Sequence, residues 1–390
     1  MNAMVLVELV FWTCLALVVF AYVGYPVALW VLARCFGKRP TPPARSAQLP
    51  RVSLLIAAHN EEAEIEARIQ SALRMDYPKD LLEIVIASDG SSDRTPSIVR
   101  RYARQGVRLL DYPERRGKSA VLNDAFGELS GEIVLLSDAN THIAADALHA
   151  MVRWFNDPNV GVVCGRLVLH DPATGKNADS LYWRYETFLK RNESKLGGLL
   201  GANGAIYAIR RKLYQPIPDG TIVDDFVIPL RAKLRTGCRI VYDSAAVANE
   251  ETPAGIGSEF KRRSRIGAGG AQSLGMLFPL LHPRHGWTAF TFLAHKVLRW
   301  LCPFFLLALL ATNLWLADEP FYQALLVAQV GFYLLSVLSA FVPPEVRLLK
   351  PLRLTTMFTG MNTALLVGYW RWLRGKQKGV WKPTARLAQA

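Results

Sequence analysis

Cysteine is scarce in this chain, and the few cysteines are scattered. There are five, an odd number, and no two are spaced as CxxC, so a disulfide framework or a zinc site is not expected. No GxGxxG follows the first predicted strand, which argues against a dinucleotide-binding Rossmann domain. No basic module interleaved with aromatic residues accompanies the net charge of +14, so we expect no nucleic-acid partner. Anionic membrane lipids account better for that charge.

A long apolar segment lies near the start of the sequence. Residues 5–32 contain a single charge, Glu8, over more than the ~20 residues that cross a bilayer. No basic segment precedes it, so residues 1–34 are predicted to form a transmembrane helix and not a cleaved signal peptide. Arg34 and Lys38 follow directly, and the positive-inside rule therefore places this end in the cytoplasm.

The rest of the chain divides by composition into five regions, one of which is a predicted interfacial helix at residues 283–300. A proline-rich linker covers residues 35–50. Residues 51–282 have the size and composition of one α/β domain. A C-terminal membrane region is predicted for residues 301–373, followed by a basic tail at 374–390.

Within the C-terminal part, two apolar spans at 301–316 and 321–342 are joined by a short acidic loop, which predicts a hairpin facing away from the cytoplasm. Residues 283–300 mix basic and aromatic side chains, including Arg299, and are predicted to form an interfacial helix. Residues 354–373 are long enough to cross but have basic residues at both ends. Whether this last segment crosses stays open.

Acidic residues recur in a fixed order along the predicted α/β domain. Asp89 and Asp138 each end a short β-branched, apolar run that is typical of a buried parallel strand. Ligands of open α/β sheets bind at the carboxyl ends of such strands. Asp224 and Asp225 follow in TIVDDF, and a basic string ends at Arg265. Carboxylates and arginines placed together suit a metal-bridged pyrophosphate.

These motifs and their order resemble the inverting family 2 glycosyltransferases of the GT-A fold. The resemblance is to their membrane-embedded branch, which includes the cellulose and poly-N-acetylglucosamine synthases. It implies an α/β domain with a mostly parallel sheet and a UDP-sugar donor. It also implies an Mg²⁺ or Mn²⁺ cofactor and a glycan or lipid-linked acceptor, in exopolysaccharide or glycolipid synthesis. The protein would be a multi-pass protein of the inner (plasma) membrane with a cytoplasmic catalytic domain.

The resemblance also assigns residues to the donor nucleotide. Asn60 and Glu61 match the loop that contacts the nucleotide, Asp89 matches the aspartate that contacts uridine, and Lys118 matches a lysine that lies against the base. Each has a simpler interpretation. Asn60 could cap the following helix, Asp89 could end a strand before a tight turn, and Lys118 could be a solvated lysine.

EIVLLSDAN resembles the DxD signature, so Asp138 is predicted to hold the metal on the donor diphosphate. Hard divalent cations prefer oxygen ligands. Asn140 stands where the second acid is expected, and its amide oxygen can coordinate without contributing charge. The alternative is that Asp138 caps a helix predicted over residues 144–155.

TIVDDF matches the position of the family's catalytic base. We assign the base to Asp225, which would take the proton of the acceptor hydroxyl. Asp224 is included as a candidate, although adjacent residues point in different directions and Asp224 is expected to point elsewhere. A pair of acids in the first turn of a helix is the simpler alternative.

Two further segments are assigned to the acceptor and the diphosphate. Asn203 and Gly204 lie in LGANGAIYAIRR, which resembles the small-residue segment that lets donor and acceptor approach the backbone. A plain loop into an edge strand is the alternative. Arg262, Arg265 and Ile266 occupy the Gln, Arg and Trp positions of the QxxRW signature. Arg265 is assigned to the diphosphate and Arg262 to the acceptor, although a basic juxtamembrane patch also explains them.

Three other functions stay open at this point. A processive polysaccharide synthase would share all these motifs. A nucleotidyltransferase shares a similar scaffold, but a glycine-rich phosphate loop after the first strand is not evident. A non-catalytic membrane scaffold could carry degenerate versions of the motifs.

Overall fold

The computed structural model describes residues 2–44, 48–170, 181–251, 255–341, 352–377 and Gly379. The chain divides into two compact units. One, called the helical unit, comprises Met1–Ala28, Gly255–Leu274 and Leu293–Gln377. The other, called the sheet unit, comprises Leu29–Ala254, Gly275–Phe292 and Lys378–Ala390.

A single mixed sheet organises the sheet unit. In the described residues its strands are β1 (Val52–Ala58), β2 (Leu82–Asp89), β3 (Val107–Tyr112), β4 (Ile133–Asp138), β5 (His142–Ile143), β6 (Val160–His170), β7 (Tyr207–Arg210) and β8 (Arg239–Glu251). Their order across the sheet is β3-β2-β1-β4-β7-β6-β8-β5. The strands predicted from the apolar runs before Asn60, Asp89 and Asp138 are therefore confirmed as β1, β2 and β4.

Strand direction changes across the sheet. The first four strands in this order are parallel, and β6 is parallel to β8. β7 runs antiparallel to both its neighbours, β4 and β6, and β5 runs antiparallel to β8. β7 is therefore a central strand, and the alternative that LGANGAIYAIRR leads to an edge strand is wrong. β1 and β2 are almost entirely buried, as expected of parallel strands covered on both faces.

The helices lie between and after these strands. In the described residues they are α1 (Ala3–Val19), α2 (Tyr25–Cys35), α3 (Ile65–Leu73), α4 (Thr95–Arg101), α5 (Lys118–Glu128), α6 (Ala147–Val152), α7 (Leu181–Leu196), α8 (Asp224–Thr236), α9 (Gly255–Leu277), α10 (Trp287–Thr291), α11 (Leu298–Trp315), α12 (Pro320–Ala340) and α13 (Arg353–Leu373). The helix predicted over 144–155 is shorter than expected, because it tightens into a 3₁₀ turn at Arg153–Asn156.

The membrane candidates lie mainly in the helical unit. Among the described residues, three helices are long and apolar enough to cross a membrane: Ala3–Cys35, Trp287–Trp315 and Pro320–Ala340. Wide π turns at Phe20–Gly24 and Phe292–Val297 join α1 to α2 and α10 to α11. The segment left open at 354–373 forms α13, which is not among the three.

The predicted interfacial helix at 283–300 is not a separate element, since most of it continues into α11. Two of its basic side chains, His295 and Arg299, pack inside the helical unit. His295 stacks on Tyr25 with ring centroids 5.6 Å apart, and the Arg299 guanidinium lies 5.9 Å from the centre of the Tyr22 ring. Both basic residues are buried.

Some predicted segments are only partly covered. Residues 45–47 of the predicted linker and residue 342 of the second predicted span lie outside the described residues. Most of the predicted basic tail at 374–390 also lies outside them, from residue 378 onward except for Gly379.

Candidate active site

The loops after β1 and β2 are joined by hydrogen bonds at the carboxyl edge of the sheet. Asn60 has a left-handed backbone with φ of 53°. Its Oδ1 accepts a hydrogen bond from the backbone N–H of Ser92 at 2.8 Å, and its own N–H donates to Ser91 Oγ at 3.1 Å. The N–H of Glu61 donates to Thr95 Oγ1 at 2.8 Å. We call this set of contacts the loop clasp.

The loop clasp overturns one simple interpretation of Asn60. The helix after β1 begins at Ile65, with Glu64 at its N-cap position, so Asn60 does not cap it. Its side-chain oxygen is instead committed to the neighbouring loop. In the second loop, Asp93 Oδ1 accepts from the N–H of Thr95 at 2.9 Å, as expected for a residue that precedes a helix.

Asp89 fixes the turn that opens α5. Its carboxylate is fully buried and accepts two backbone hydrogen bonds, from the N–H of Arg116 at 2.7 Å and of Gly117 at 2.9 Å. Gly90 follows with φ of 59°, and a Cβ there would lie 2.5 Å from the backbone nitrogen of Arg115. The two segments therefore approach so closely that only glycine fits.

This turn places Lys118, the first residue of α5, between two carboxylates. Its Nζ lies 2.7 Å from Asp138 Oδ1 and 3.3 Å from Asp224 Oδ2. Burial alone would lower the pKa of Lys118, but the charges of Asp138 and Asp224 outweigh burial and raise it. Lys118 is therefore not the solvated surface lysine of the simpler interpretation.

The first turn of α8 supplies both aspartates of TIVDDF. The expectation that Asp224 points away from the site is wrong, because its carboxylate reaches Lys118. Asp224 Oδ2 is buried and, among the described residues, has no hydrogen-bond donor in suitable geometry, although the Lys118 ammonium is near. The helix-start alternative also holds, since a helix N-terminus stabilises acids. The carboxylates of Asp224 and Asp225 therefore both lie at the candidate site.

The segment before β7 closes the site, because the antiparallel pairing of β7 with β4 carries that segment past the end of β4. The N–H of Gly204 donates to Asp225 Oδ2 at 3.0 Å. A Cβ at Gly204 would lie 3.0 Å from Asp138 Oδ2 and 3.6 Å from Asp225 Oδ2. Asp138 and Asp225 thus border the same space, and glycine keeps that space open.

Asn203 has structural partners on both sides of its amide. Its Oδ1 accepts a hydrogen bond from the ammonium of Lys190, and its Nδ2 donates to the carbonyl oxygen of Gly165 at 3.0 Å. The amide therefore connects α7 to β6 beside Gly204. Trp183 of α7 lines the small cavity that Asn203 also lines.

The sequence of this region matches a known family. The Glycosyl transferase family 2 profile matches residues 53–217, which run from β1 to the segment after β7. The chain carries a glycosyl transferase family 2 domain. That domain holds all the residues described above except the two aspartates of α8, which follow it directly.

Curated relatives agree with this assignment. The chain is 28% identical over 239 residues to a probable glycosyltransferase, YdaM, of Bacillus subtilis, covering 57% of this chain and 56% of the relative. It is 27% identical over 234 residues to a poly-β-1,6-N-acetyl-D-glucosamine synthase of Staphylococcus aureus, covering 58% and 56%. The matched region thus spans only about half the length of each relative.

A solved structure resembles nearly the whole chain. It is the mannosyltransferase PcManGT from Pyrobaculum calidifontis in complex with GDP-Man and Mn²⁺, with a TM-score of 0.70 and 25% identity. The match covers 94% of this chain and 99% of the other. The family 2 domain therefore has the GT-A fold, with candidate membrane helices on either side of it in the sequence.

The family 2 domain offers a partial metal site. No group of three or more His, Cys, Asp or Glu side chains in the described residues forms a complete one. The Asp138 side chain is 37% exposed, and the buried Asp224 Oδ2 has no hydrogen-bond donor in suitable geometry. Asn140 lies in the turn after β4 and is half-buried. This oxygen-rich set fits a cation that takes its remaining ligands from substrate phosphates and water.

The arginines of the QxxRW position lie on α9 in the helical unit. Arg262 pairs with Glu259 through Nε–Oε2 and Nη2–Oε1 contacts of 2.8 and 2.9 Å, and Arg263 donates to the same carboxylate. Burial raises the pKa of Glu259, but these arginines outweigh it and bring the pKa to about 2. Arg265 is exposed on the same helix. Their assignments to acceptor and diphosphate stay predictions.

Sequence reasoning missed Arg68, which supports the metal-site turn. Arg68 is fully buried, and its Nε donates to the carbonyl oxygen of Asp138 at 3.4 Å. Its Nη1 and Nη2 have no hydrogen-bond partner among the described residues. The signal was present in α3, where Arg68 shares a buried face with Ile65, Ile69 and Ala72. A charge on such a face is unusual unless it has a specific role.

Asp225 has the electrostatics of a proton acceptor. Burial raises its pKa, the neighbouring charge of Asp224 adds to this, and Lys118 opposes it, so that the pKa reaches about 6. A base works best when its pKa lies near the operating pH. Asp225 is thus ionised at neutral pH yet basic enough to accept a proton.

Because the pKa of Asp225 is about 6, we expect the reaction rate to fall on the acid side of its pH profile. Because kcat/KM for the donor reports the free enzyme, we expect it to fall about tenfold per pH unit below roughly pH 6. Asp224→Asn removes a charge that raises the Asp225 pKa, so its limb should move to lower pH. A pH profile of both proteins between pH 4.5 and 8 measures this. A limb at the same pH in both would contradict the assignment.

Proposed function

We propose that the protein is a membrane-bound, metal-dependent glycosyltransferase that inverts configuration at the transferred carbon. The donor is a nucleotide diphosphate sugar, and the acceptor is a membrane-associated glycan or lipid-linked sugar. One observation carries the proposal. Asp138 and Asp225 border the same space at Gly204, and Lys118 joins Asp138 to Asp224. These contacts support the proposal, because the acid assigned to the metal, the candidate base and a lysine ammonium lie together at the carboxyl edge of a GT-A sheet.

The proposed chemistry needs one proton acceptor and one stabilised leaving group. The acceptor hydroxyl oxygen forms a bond to the anomeric carbon, the bond from that carbon to the diphosphate breaks, and Asp225 takes the hydroxyl proton. The hydrogen bond from Gly204 to Asp225 Oδ2 fixes the carboxylate's orientation. Lys118 is proposed to balance charge on the diphosphate. The family resemblance assigns Arg265 to the diphosphate as well, and that assignment stays a prediction. A divalent cation held by Asp138, with Asn140 nearby, supplies further neutralisation of that charge.

For the nucleotide we propose UDP, with Asn60, Glu61 and Asp89 beside it. The family resemblance supports UDP, because Asp89 lies at the strand end where the family contacts uridine. Its buried carboxylate holds the backbone of Arg116 and Gly117, so we propose that it shapes the wall beside the nucleotide. The Pyrobaculum mannosyltransferase was solved with GDP-Man, so GDP is the alternative to test. One experiment should therefore vary both the sugar and the nucleotide base of the donor.

The deciding experiment is a panel of UDP- and GDP-sugars incubated with the full-length protein in detergent, with and without chelator. We expect metal-dependent release of UDP from one donor. Release of pyrophosphate would favour a nucleotidyltransferase. Failure to bind any nucleoside diphosphate with Mn²⁺ or Mg²⁺ present would favour a non-catalytic scaffold.

We expect the catalytic domain to face the cytoplasm as part of a multi-pass protein of the inner membrane. A reporter fused near Pro50 should behave as cytoplasmic, because basic residues follow α1 and α2 directly. A reporter inserted at Asp318, between α11 and α12, should behave as external. Phosphatase and fluorescent reporters at both positions measure this. The reverse pattern would remove access to cytosolic nucleotide sugars and so contradict the proposed function.

We expect a short product of one or a few sugars. Ile266 replaces the indole that stacks on a sugar in processive synthases, and an aliphatic side chain lacks that flat face. The three candidate membrane helices of the described residues are also few for a polymer channel. Gel filtration of the product from purified protein and donor measures its length. High-molecular-weight polymer would contradict this, and Trp183→Ala or Trp287→Ala would then show which aromatic replaces the missing one.

A further inference from the structure

Lys118 occupies a position that a divalent cation would compete for. Its ammonium lies 2.7 Å from Asp138 Oδ1 and 3.3 Å from Asp224 Oδ2. Asp138 is the acid to which we assign the metal. Asp224 is buried, and its Oδ2 has no hydrogen-bond donor in suitable geometry among the described residues. The ammonium thus supplies the charge balance that the two carboxylates need.

A metal ion and this ammonium exclude each other. A divalent cation on Asp138 Oδ1 would stand within a few ångströms of Nζ, where two positive charges repel strongly in a partly buried site. The Lys118 side chain is only 20% exposed, so solvent screens this repulsion weakly. Metal binding at Asp138 Oδ1 therefore requires the ammonium to leave that oxygen.

The structure also shows how Lys118 can leave. The backbone of the preceding residue is fixed, since the Gly117 N–H donates to Asp89 at 2.9 Å. The lysine side chain beyond it is a flexible four-carbon stem. Asp138 and Asp224 sit on β4 and α8, so withdrawal of the ammonium breaks no hydrogen bond within the β4 ladder or the α8 backbone. A nucleoside diphosphate at this edge would offer the ammonium new oxygen partners.

We propose that Lys118 closes the metal site in the free enzyme and opens it when the diphosphate of the donor arrives. The metal then binds with the nucleotide or after it, and does not bind tightly before it. This inference rests on the proposed function, since it takes Asp138 as a metal ligand and a nucleoside diphosphate as part of the donor.

The test measures Mn²⁺ binding directly by electron paramagnetic resonance, with the full-length protein in detergent and without any turnover. Wild-type protein should bind Mn²⁺ weakly alone. Lys118→Met should bind Mn²⁺ alone at least tenfold more tightly, because the two carboxylates lose their internal cation. Lys118→Gln, which keeps a polar stem, is the second variant should Lys118→Met fail to fold. Thermal unfolding followed by circular dichroism checks the fold of each.

Lys190→Met is the matched control. Lys190 is also a cation near Asp225, but its ammonium bonds the amide oxygen of Asn203 and not a carboxylate. Its removal should change Mn²⁺ affinity less than threefold. An equal gain in Lys190→Met and Lys118→Met would show a general charge effect and overturn the proposal.

The remaining outcomes separate this inference from the proposed function. Tight Mn²⁺ binding by the wild-type protein alone, unchanged in Lys118→Met and Lys118→Gln, would overturn the closed site and leave the glycosyltransferase intact. No Mn²⁺ binding by the wild-type protein even with UDP or GDP present would overturn both. Weak binding alone, strong binding with a nucleoside diphosphate, and tight binding by the Lys118 variants alone would support both.

Discussion

Asp225→Asn is expected to lower kcat by 10²–10⁴-fold, the usual contribution of a general base, while nucleotide binding stays near the wild-type value. The amide keeps the shape of the carboxylate and still offers an oxygen to the Gly204 N–H, so the first turn of α8 should be preserved. It cannot accept the hydroxyl proton. Initial rates with the donor identified by the panel, together with calorimetric binding of UDP, measure the two quantities separately.

Asp224→Asn is the control within the same helical turn. Asp224 contacts Lys118 at 3.3 Å, whereas the Gly204 N–H donates to Asp225 Oδ2. Its substitution should disturb nucleotide or metal binding more than it disturbs proton transfer. If Asp224→Asn were the inactive variant and Asp225→Asn remained active, the base would have to be reassigned to Asp224.

The second large effect is expected for Asp138→Ala, which should weaken divalent-dependent UDP binding at least ~100-fold, or about 2.7 kcal/mol. Asp138 is the acid of the DxD-like motif, and no third acid completes a metal site in the described residues. Losing Asp138 therefore leaves the metal with substrate oxygens, uncharged ligands and a carboxylate outside the motif. UDP titrations with Mn²⁺, with Mg²⁺ and with chelator measure the effect.

Asn140→Asp is the opposite change and should tighten metal-dependent UDP binding, because it adds a charged oxygen two residues after Asp138. Asp138→Asn serves as the conservative control, since it keeps an oxygen ligand without charge and should fall between wild type and alanine. Equal UDP affinity of the wild-type protein with and without chelator would refute the metal assignment altogether.

The strands that frame the site were predictable because their signal is local. β1, β2 and β4 are mainly apolar runs, interrupted only by Ser53 in β1 and Glu83 in β2, and polar residues end or follow each of them. A short window of sequence reveals such strands. β7 was harder. Its four residues, Tyr207–Arg210, say nothing about their partners, and only the pairing with β4 and β6 makes the strand central. Strand order is a non-local property that the local sequence does not specify.

The same difference between local and non-local signals applies to the residues of the candidate site. Asp138 and Asp225 were found because motif positions identify them, but the relation between Asp224 and Lys118 was not. These two residues are far apart in the sequence, and their contact depends on where α5 and α8 begin. Alternation of side-chain direction suggested that Asp224 points away. At the start of a helix, however, two successive side chains can both border one crevice.

The loop clasp divides the donor cleft into a rigid part and an adaptable part. The loops after β1 and β2 are tied by hydrogen bonds from the backbone N–H groups of Asn60, Glu61 and Ser92 to side-chain oxygens, and these bonds resist local opening. We therefore expect the nucleoside to bind against the loops after β1 and β2 without rearranging them. The opposite wall is held by ion pairs of the single Lys118 ammonium, and these rearrange without breaking the fold. Under the proposed function, selectivity for the nucleotide base would be set by the rigid framework, whereas the reacting end of the cleft would be assembled by the substrate itself.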